Sequence, residues 1–267
     1  MSTLTKFVLG LAVAASTMLL AALAVADWDE GDGHKMHFPQ LPDPNGWDVA
    51  WSNSWLGDDW VCSGSGPVSD IHLWVSFKEW NEDYAPEYMS QIPFAVQIWS
   101  NDPGGAGSPY SYSTPKDLLW DKTFEPGEFS IRYAGCGPQG WYWPASGTAL
   151  SDDHQSYFQI NMDIDPQLAY SQTEGEVYWL VTKFEGIAPQ IGWKTADLNR
   201  YPDPYNGQHF MDDAVFGTGI TLINWEEISI YGISRDLAFV ITPEPGTLVL
   251  LVTAGLGLLL FVWRRRK

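Results

Sequence analysis

Three pairs of neighbouring carboxylates stand out among the residues able to do chemistry: Asp58-Asp59, Asp152-Asp153 and Asp212-Asp213. They fall at strand-like or turn-like edges, where carboxylates and loop carbonyls can supply the six to eight oxygens that Ca2+ prefers. Asp58, Asp59, Asp212 and Asp213 are the candidate ligands, and Ca2+ is the one cofactor the sequence suggests. The competing reading is solvated turn carboxylates. The stretch DWDEGDG from Asp27 opens like an EF-hand loop, but Gly31 stands where a third acid belongs and Phe38 where the bidentate Glu belongs, so it is not one. His34-x-x-His37 is the only close histidine pair. It sits in a stretch without a rigid frame and reads as surface histidines.

The aromatic run Trp141-Tyr142-Trp143 follows a Gly/Pro-rich loop, AGCGPQG. Exposed rings there would offer a platform for the C–H faces of sugars. Packing is the alternative and the favoured reading, because large exposed apolar patches are uncommon. Extended backbone would place Trp141 and Trp143 on one face. No GxSxG, HExxH, P-loop or GxGxxG occurs, so the motif-defined enzyme classes have no support. A glycosidase needs two carboxylates at a set separation across a cleft, and no pair declares itself. The chain reads as non-enzymatic, with a secreted glycoside hydrolase the most distant alternative.

These residues need elements to position them, and the pattern between them has period two. SYFQINMDI places Phe158, Ile160, Met162 and Ile164 on one face and Gln159, Asn161 and Asp163 on the other, a half-buried strand. DIHLWVSF and PFAVQIWS alternate likewise, whereas VYWLVTKF from Val177 is apolar on both faces, as a central strand is. Turn signals such as SGSGP, NDPGGAGSP and YPDPYNG separate them. The expected fold is all-β: an antiparallel β-sandwich, jelly-roll or immunoglobulin-like, as one domain over residues 47–242. Residues 27–46 read as an extended, loosely tied lead-in.

The two ends set the address. Lys6, an apolar stretch and Ala24-Val25-Ala26 form a secretory signal peptide with cleavage after Ala26; an uncleaved signal anchor is the alternative. Near the C-terminus, residues 246–263 carry no charge, and as a helix they would span roughly 27 Å, enough for the hydrocarbon core. Arg264, Arg265, Arg266 and Lys267 would hold the tail on the cytoplasmic side. The expectation is therefore a signal helix, an exported domain and a transmembrane helix. Residues 27–242 hold nine cations against 32 acids, a net charge of about −23. Such a surface excludes nucleic acid and anionic lipid as partners. Export also favours a Cys62–Cys136 disulfide, with two buried free thiols as the alternative.

Pro243-Glu244-Pro245, the apolar span and the terminal basic cluster resemble the PEP-CTERM sorting signal of Gram-negative bacteria. That resemblance implies recognition by an exosortase, an integral-membrane cysteine transpeptidase, with cutting near the triplet. It also implies a membrane-tethered precursor that becomes a surface or extracellular-matrix protein made alongside exopolysaccharide. The alternative is a plain single-pass anchor. PQLPDPNGWDV, GDDWVCSGSGPVSDIHLWVSF, HFMDDAVFG and DLAFVIT resemble a β-rich domain family of exported PEP-CTERM proteins that carries no established activity. Together the resemblances imply a structural or adhesive protein associated with exopolysaccharide, with a carbohydrate-binding module as the alternative.

Overall fold

A computed structural model describes residues 27–52, 54–78, 85–184, 190–197, 214–218 and 224–242. The expected signal helix, the Pro243-Glu244-Pro245 triplet, the 246–263 span and the basic tail lie outside the described residues, as do Ala24 and Ala26. Among the described residues no helix is long and apolar enough to cross a membrane. The chain divides into two compact units. One, Trp28–Pro243, carries the fold; of the other, Met1–Asp27 with Glu244–Lys267, only Asp27 is described.

The first half of the fold runs β1 (Trp47–Ala50), β2 (Trp55–Val61), β3 (Gly66–Pro67), β4 (Asp70–Phe77), β5 (Phe94–Asp102), β6 (Thr114–Phe124) and β7 (Ser130–Trp143). The second runs β8 (Thr148–Asp163), β9 (Ser171–Gln172), β10 (Val177–Phe184), β11 (Ile191–Lys194), β12 (Val215–Thr218), β13 (Asn224–Glu227), β14 (Ser229–Ile230), β15 (Ile233–Ser234) and β16 (Phe239–Thr242). One large sheet has the order β13-β12-β2-β10-β5-β6, antiparallel throughout. In the other, β11-β1-β7-β8-β4-β16, strand β11 also pairs with β4. That extra pairing closes five strands, β1-β7-β8-β4-β11, into a ring.

The all-β class is as the alternation predicts. The expected open antiparallel layer is not what the second sheet forms: it closes on itself, and β1 runs parallel to β7. The reason is local. One edge of β4 pairs with β16 over Asp70–Leu73 and with β11 over Val75–Phe77, so a single long strand serves two partners in succession. The doubly apolar VYWLVTKF becomes β10, a central strand between β2 and β5, as its composition requires.

A chain of rings joins the two sheets. Trp51, just past β1, meets Phe94 of β5 and Phe184 of β10 edge-on, at centroid distances of 5.8 and 5.0 Å, and stacks on Trp193 of β11 at 6.0 Å. Trp193 meets Phe239, and Phe239 meets Trp60 of β2, each at 6.1 Å. Their polar atoms are matched: the Trp51 indole donates to the Thr182 carbonyl, Trp60 to Gln172 Oε1, and Trp193 to the Ala238 carbonyl. Burying such large rings supplies much of the core's apolar area, and edge-to-face geometry adds to it.

Residues 27–46 are held more firmly than a loose lead-in. Met36 bridges to Cys62, Gln40 to Phe239 and Pro42 to Ala196, and Trp28, Met36 and Leu41 are buried. His37 exchanges backbone bonds across this seam: its N–H donates to the Val61 carbonyl, and the Val61 N–H donates to its Nδ1. Burial and neighbouring His34 push the His37 imidazole down to about 3.

The Cys62–Cys136 disulfide does not form; both cysteines are free. Cys62 follows β2 of the open sheet, and its thiol is buried against the Gly64 carbonyl. Cys136 is exposed on the bulged part of β7. Burial pushes the Cys62 thiol up, which further lowers its reactivity. Thiol labelling of the native protein should therefore modify one cysteine, Cys136, and denaturation should add the second without any reductant. Absence of label after denaturation would restore the disulfide.

Candidate functional site

Each strand of the five-stranded ring contributes a polar side chain to one buried cluster. Asp48 of β1 stands in register opposite Lys194 of β11 and Trp141 of β7, while Gln139 of β7 stands opposite His154 of β8. Ser76 of β4 completes the set. Asp48, Ser76, Gln139 and Lys194 are all fully buried. Gly192 on β11 is required here, because a Cβ would lie 3.0 Å from both the Asp48 side chain and the Trp141 ring.

The cluster is joined by hydrogen bonds. Lys194 Nζ lies 3.4 Å from Asp48 Oδ2 and donates to Gln139 Oε1. Ser76 Oγ donates to the same Gln139 oxygen at 3.1 Å. The Gln139 amide nitrogen donates to the Gly137 and Gln155 carbonyls, which fixes the orientation of the carboxamide. His154 places Nε2 3.0 Å from Asp48 Oδ2 and Nδ1 3.1 Å from Asp153 Oδ2. Among the described residues Asp48 Oδ1 and the Trp141 indole nitrogen make no direct hydrogen bond, although Ser76 lies close enough to Asp48 to help hold its carboxyl low.

Electrostatics follow from that geometry. Burial alone would raise the Asp48 carboxyl, but Lys194 and His154 outweigh it and hold the group below its ordinary range. Burial would likewise lower the His154 imidazole, yet its bonds to Asp48 and Asp153 hold it above its ordinary value. For Lys194 burial prevails, and the ammonium is held below its usual range despite Asp48.

Close to this cluster a cleft of about 180 Å³ opens to solvent. Trp28, Trp74, Tyr133 and Tyr157 supply aromatic walls, and Arg132, Gln159 and Asp29 supply polar ones. The polar groups are ordered. Arg132 Nε donates to Gln159 Oε1 at 2.6 Å, its Nη2 reaches the Trp28 carbonyl and Asp29 Oδ1, and Gln159 Nε2 donates to the Trp28 carbonyl at 3.0 Å. Trp28 meets Trp74 edge-on at 6.1 Å. Tyr133 is 58% exposed, with its ring edge-on to Phe158 at 6.1 Å. The polar face of β8, expected in solvent, is thus largely covered: Gln159 and Asn161 are buried and hydrogen-bonded.

The sequence-derived candidates fall elsewhere. Trp141 is fully buried, Tyr142 is buried and Trp143 is half-buried, so the three form no exposed glycan platform. Strand β7 is flanked at its edges by β1 and β8, and the Trp141 ring packs against Gly192 of β11 and His154 of β8. Trp141 and Trp143 do share a face, at a ring distance of 6.2 Å. Asp58 and Asp59 are fully buried, and the Asp58 carboxylate accepts the backbone N–H groups of Asp59 and Leu237, a structural use of its oxygens. Asp212 and Asp213 lie outside the described residues. Among the described residues no three His, Cys, Asp or Glu side chains are grouped to hold a metal ion. Asp48 and Lys194 went unnoticed in sequence, although a lone charge inside an apolar run, as in GWDVAW or IGWKT, is the available signal.

Comparison with protein families matches residues 36–242 to the family described as Domain of unknown function (DUF7901). The chain belongs to that family. Its DUF7901 domain therefore contains the whole ring, the open six-stranded sheet and most of the lead-in. A second match identifies the PEP-CTERM protein-sorting motif at residues 242–267. No curated protein and no solved structure matches the chain.

The buried pair makes a directional forecast. Asp48→Ala strands Lys194 and His154 without their shared acceptor and should cost about 3–5 kcal/mol in urea unfolding. The Asp48 contribution is complete above about pH 4 and lost as pH falls through its lowered folded value. That of His154, raised when folded, is complete below about pH 6.5 and lost as pH rises through the folded value. The stability gap between the native chain and His154→Phe should therefore narrow on the alkaline side. A gap independent of pH would refute the assignment.

Proposed function

We propose that this is a non-enzymatic structural or adhesive protein of the cell surface or extracellular matrix, associated with exopolysaccharide. The observation that carries the reading is the junction at Thr242. Strand β16 ends there, and the PEP-CTERM motif begins at the same residue. The motif makes the protein an exported substrate of exosortase processing. With no linker between strand and motif, a cut near Pro243-Glu244-Pro245 delivers the folded domain with almost no residual tail. The apolar span 246–263 holds the precursor in the inner membrane, with Arg264, Arg265, Arg266 and Lys267 on the cytoplasmic side until the cut. Signal peptidase acts at Ala24-Val25-Ala26.

Intact mass spectrometry of protein from its native host tests this. A chain beginning at Asp27 and ending near the triplet is expected, while replacing Pro243-Glu244-Pro245 by three alanines should leave a membrane-bound product that still ends at Lys267. Mature protein ending at Lys267 in the unaltered host would make the tail a plain anchor.

The cleft beside the ring favours glycan binding as the second reading. At about 180 Å³ it is smaller than the roughly 300–1,000 Å³ of drug-sized sites, but aromatic rings and ordered amide and guanidinium groups line it, the mixture that such sites use. Strong net negative charge disfavours anionic polymers, so a neutral glycan fits better. Tyr133→Ala should weaken retention on neutral polysaccharide at least tenfold, equivalent to about 1.4 kcal/mol, and leave thermal unfolding almost unchanged because the ring is largely exposed. Equal retention by both proteins, or none by either, would remove this reading.

A further inference from the structure

The buried cluster holds a nucleophile, an electrophile and a proton acceptor in mutual contact, and no charge of Lys194 reaches water. We propose that Lys194 and Gln139 become joined by an intramolecular isopeptide bond inside the ring, the lysine amine displacing ammonia from the glutamine carboxamide. This goes beyond sorting and glycan binding, and it concerns how the exported domain is held together.

The geometry provides each requirement. Lys194 Nζ rests against the Gln139 carboxamide, donating to Oε1. Ser76 Oγ donates to that same oxygen at 3.1 Å, so the carbonyl is polarised by a fixed hydroxyl where negative charge develops during attack. The Gln139 nitrogen is held by two backbone carbonyls, which prevents the amide from turning away. Asp48 Oδ2 lies 3.4 Å from Nζ, so the carboxylate is placed to take a proton from that nitrogen, and the Ser76 hydroxyl lies within reach of it as well as of Gln139. His154 fixes the carboxylate at 3.0 Å.

Among the described residues Nζ has two hydrogen-bond acceptors, Asp48 and Gln139, and it faces the Tyr157 ring at 5.2 Å. Attack uses the neutral amine, which can keep both N–H bonds and still present a lone pair. Burial lowers the proton affinity of Lys194, which favours that form. Asp48 is the poorer electrophile, because a carboxylate paired with imidazolium resists attack.

The step balances. The neutral Nζ lone pair attacks Gln139 Cδ, and as the new bond forms the nitrogen becomes acidic and gives one proton to Asp48. The tetrahedral intermediate then breaks its bond to Nε2, and the proton held by Asp48 leaves with that nitrogen as ammonia. One amide replaces another, and nothing is oxidised or reduced. Preset contact in a closed ring substitutes for concentration, and the absence of water protects the product from hydrolysis. The bond would tie β7 to β11, the two strands that flank β1, and lock the ring in covalently.

Intact mass of the purified chain, combined with trypsin mapping, decides the matter. The expected chain is lighter than its mapped sequence by one ammonia, trypsin fails to cut after Lys194, and Tyr133–Lys183 is recovered joined to Phe184–Arg200. Lys194→Met and Gln139→Met should each restore the full sequence mass, and Asp48→Asn should leave most of the chain unlinked. A full-mass native chain cut normally after Lys194 overturns the proposal without any variant. So does loss of one water rather than ammonia, which points to Asp48 as the electrophile. A mass loss that survives Lys194→Met and vanishes in Ser76→Ala, indicating a serine ester, overturns it equally.

Discussion

An amine as fully buried as that of Lys194 survives only where polar atoms converge on it, because a lone buried charge is among the most costly features a fold can carry. That constraint organises the closed sheet. Asp48 must come from β1, Gln139 from β7 and Lys194 from β11, so the three strands are held in one register. His154 from β8 and Ser76 from β4 complete the polar shell, and only a closed ring brings all five strands around one point. The second pairing of β11, with β4, is thus tied to the cluster: opening the ring would expose Lys194 to water and separate it from its partners.

The aromatic chain does a different job. Trp51, Trp193, Phe239 and Trp60 carry contact from the ring to the open sheet, and the three indole nitrogens find carbonyl or amide acceptors along the way. Trp193 and Lys194 are adjacent on β11 and point to opposite faces, one into the seam between sheets and one into the ring. A short strand of four residues therefore serves both cores. The glycine before them, Gly192, leaves the space that Trp141 occupies.

This arrangement suits a domain that leaves the cell without a disulfide. Cys62 is spent on the core, and Cys136 stands alone on the outside. Rigidity comes instead from a closed ring, from a lead-in stitched to β2 and β16, and from the buried polar cluster. The cleft bounded by Trp28, Arg132 and Tyr133 draws one wall from that lead-in, so any ligand-binding role depends on the same stitching.

Sequence alone determined the address and the class. A sorting signal works through a linear string of residues, Pro-Glu-Pro, an apolar span and a basic end, so it can be read without folding. Strand identity was legible for the same reason: alternation in β4 and double apolarity in β10 are local properties of side-chain direction. What the tertiary structure decided is everything that needs residues distant in sequence. Asp48 and Lys194 meet because β1 and β11 pair, although they lie 146 residues apart. Trp141 is a core residue, in line with the favoured packing reading, because its ring lies against Gly192 and His154, and Asp58, a candidate metal ligand, is an acceptor for the Leu237 N–H. Ring closure, the cleft and the reactive contact between Lys194 and Gln139 arise from strand order, which the period of a single segment does not encode.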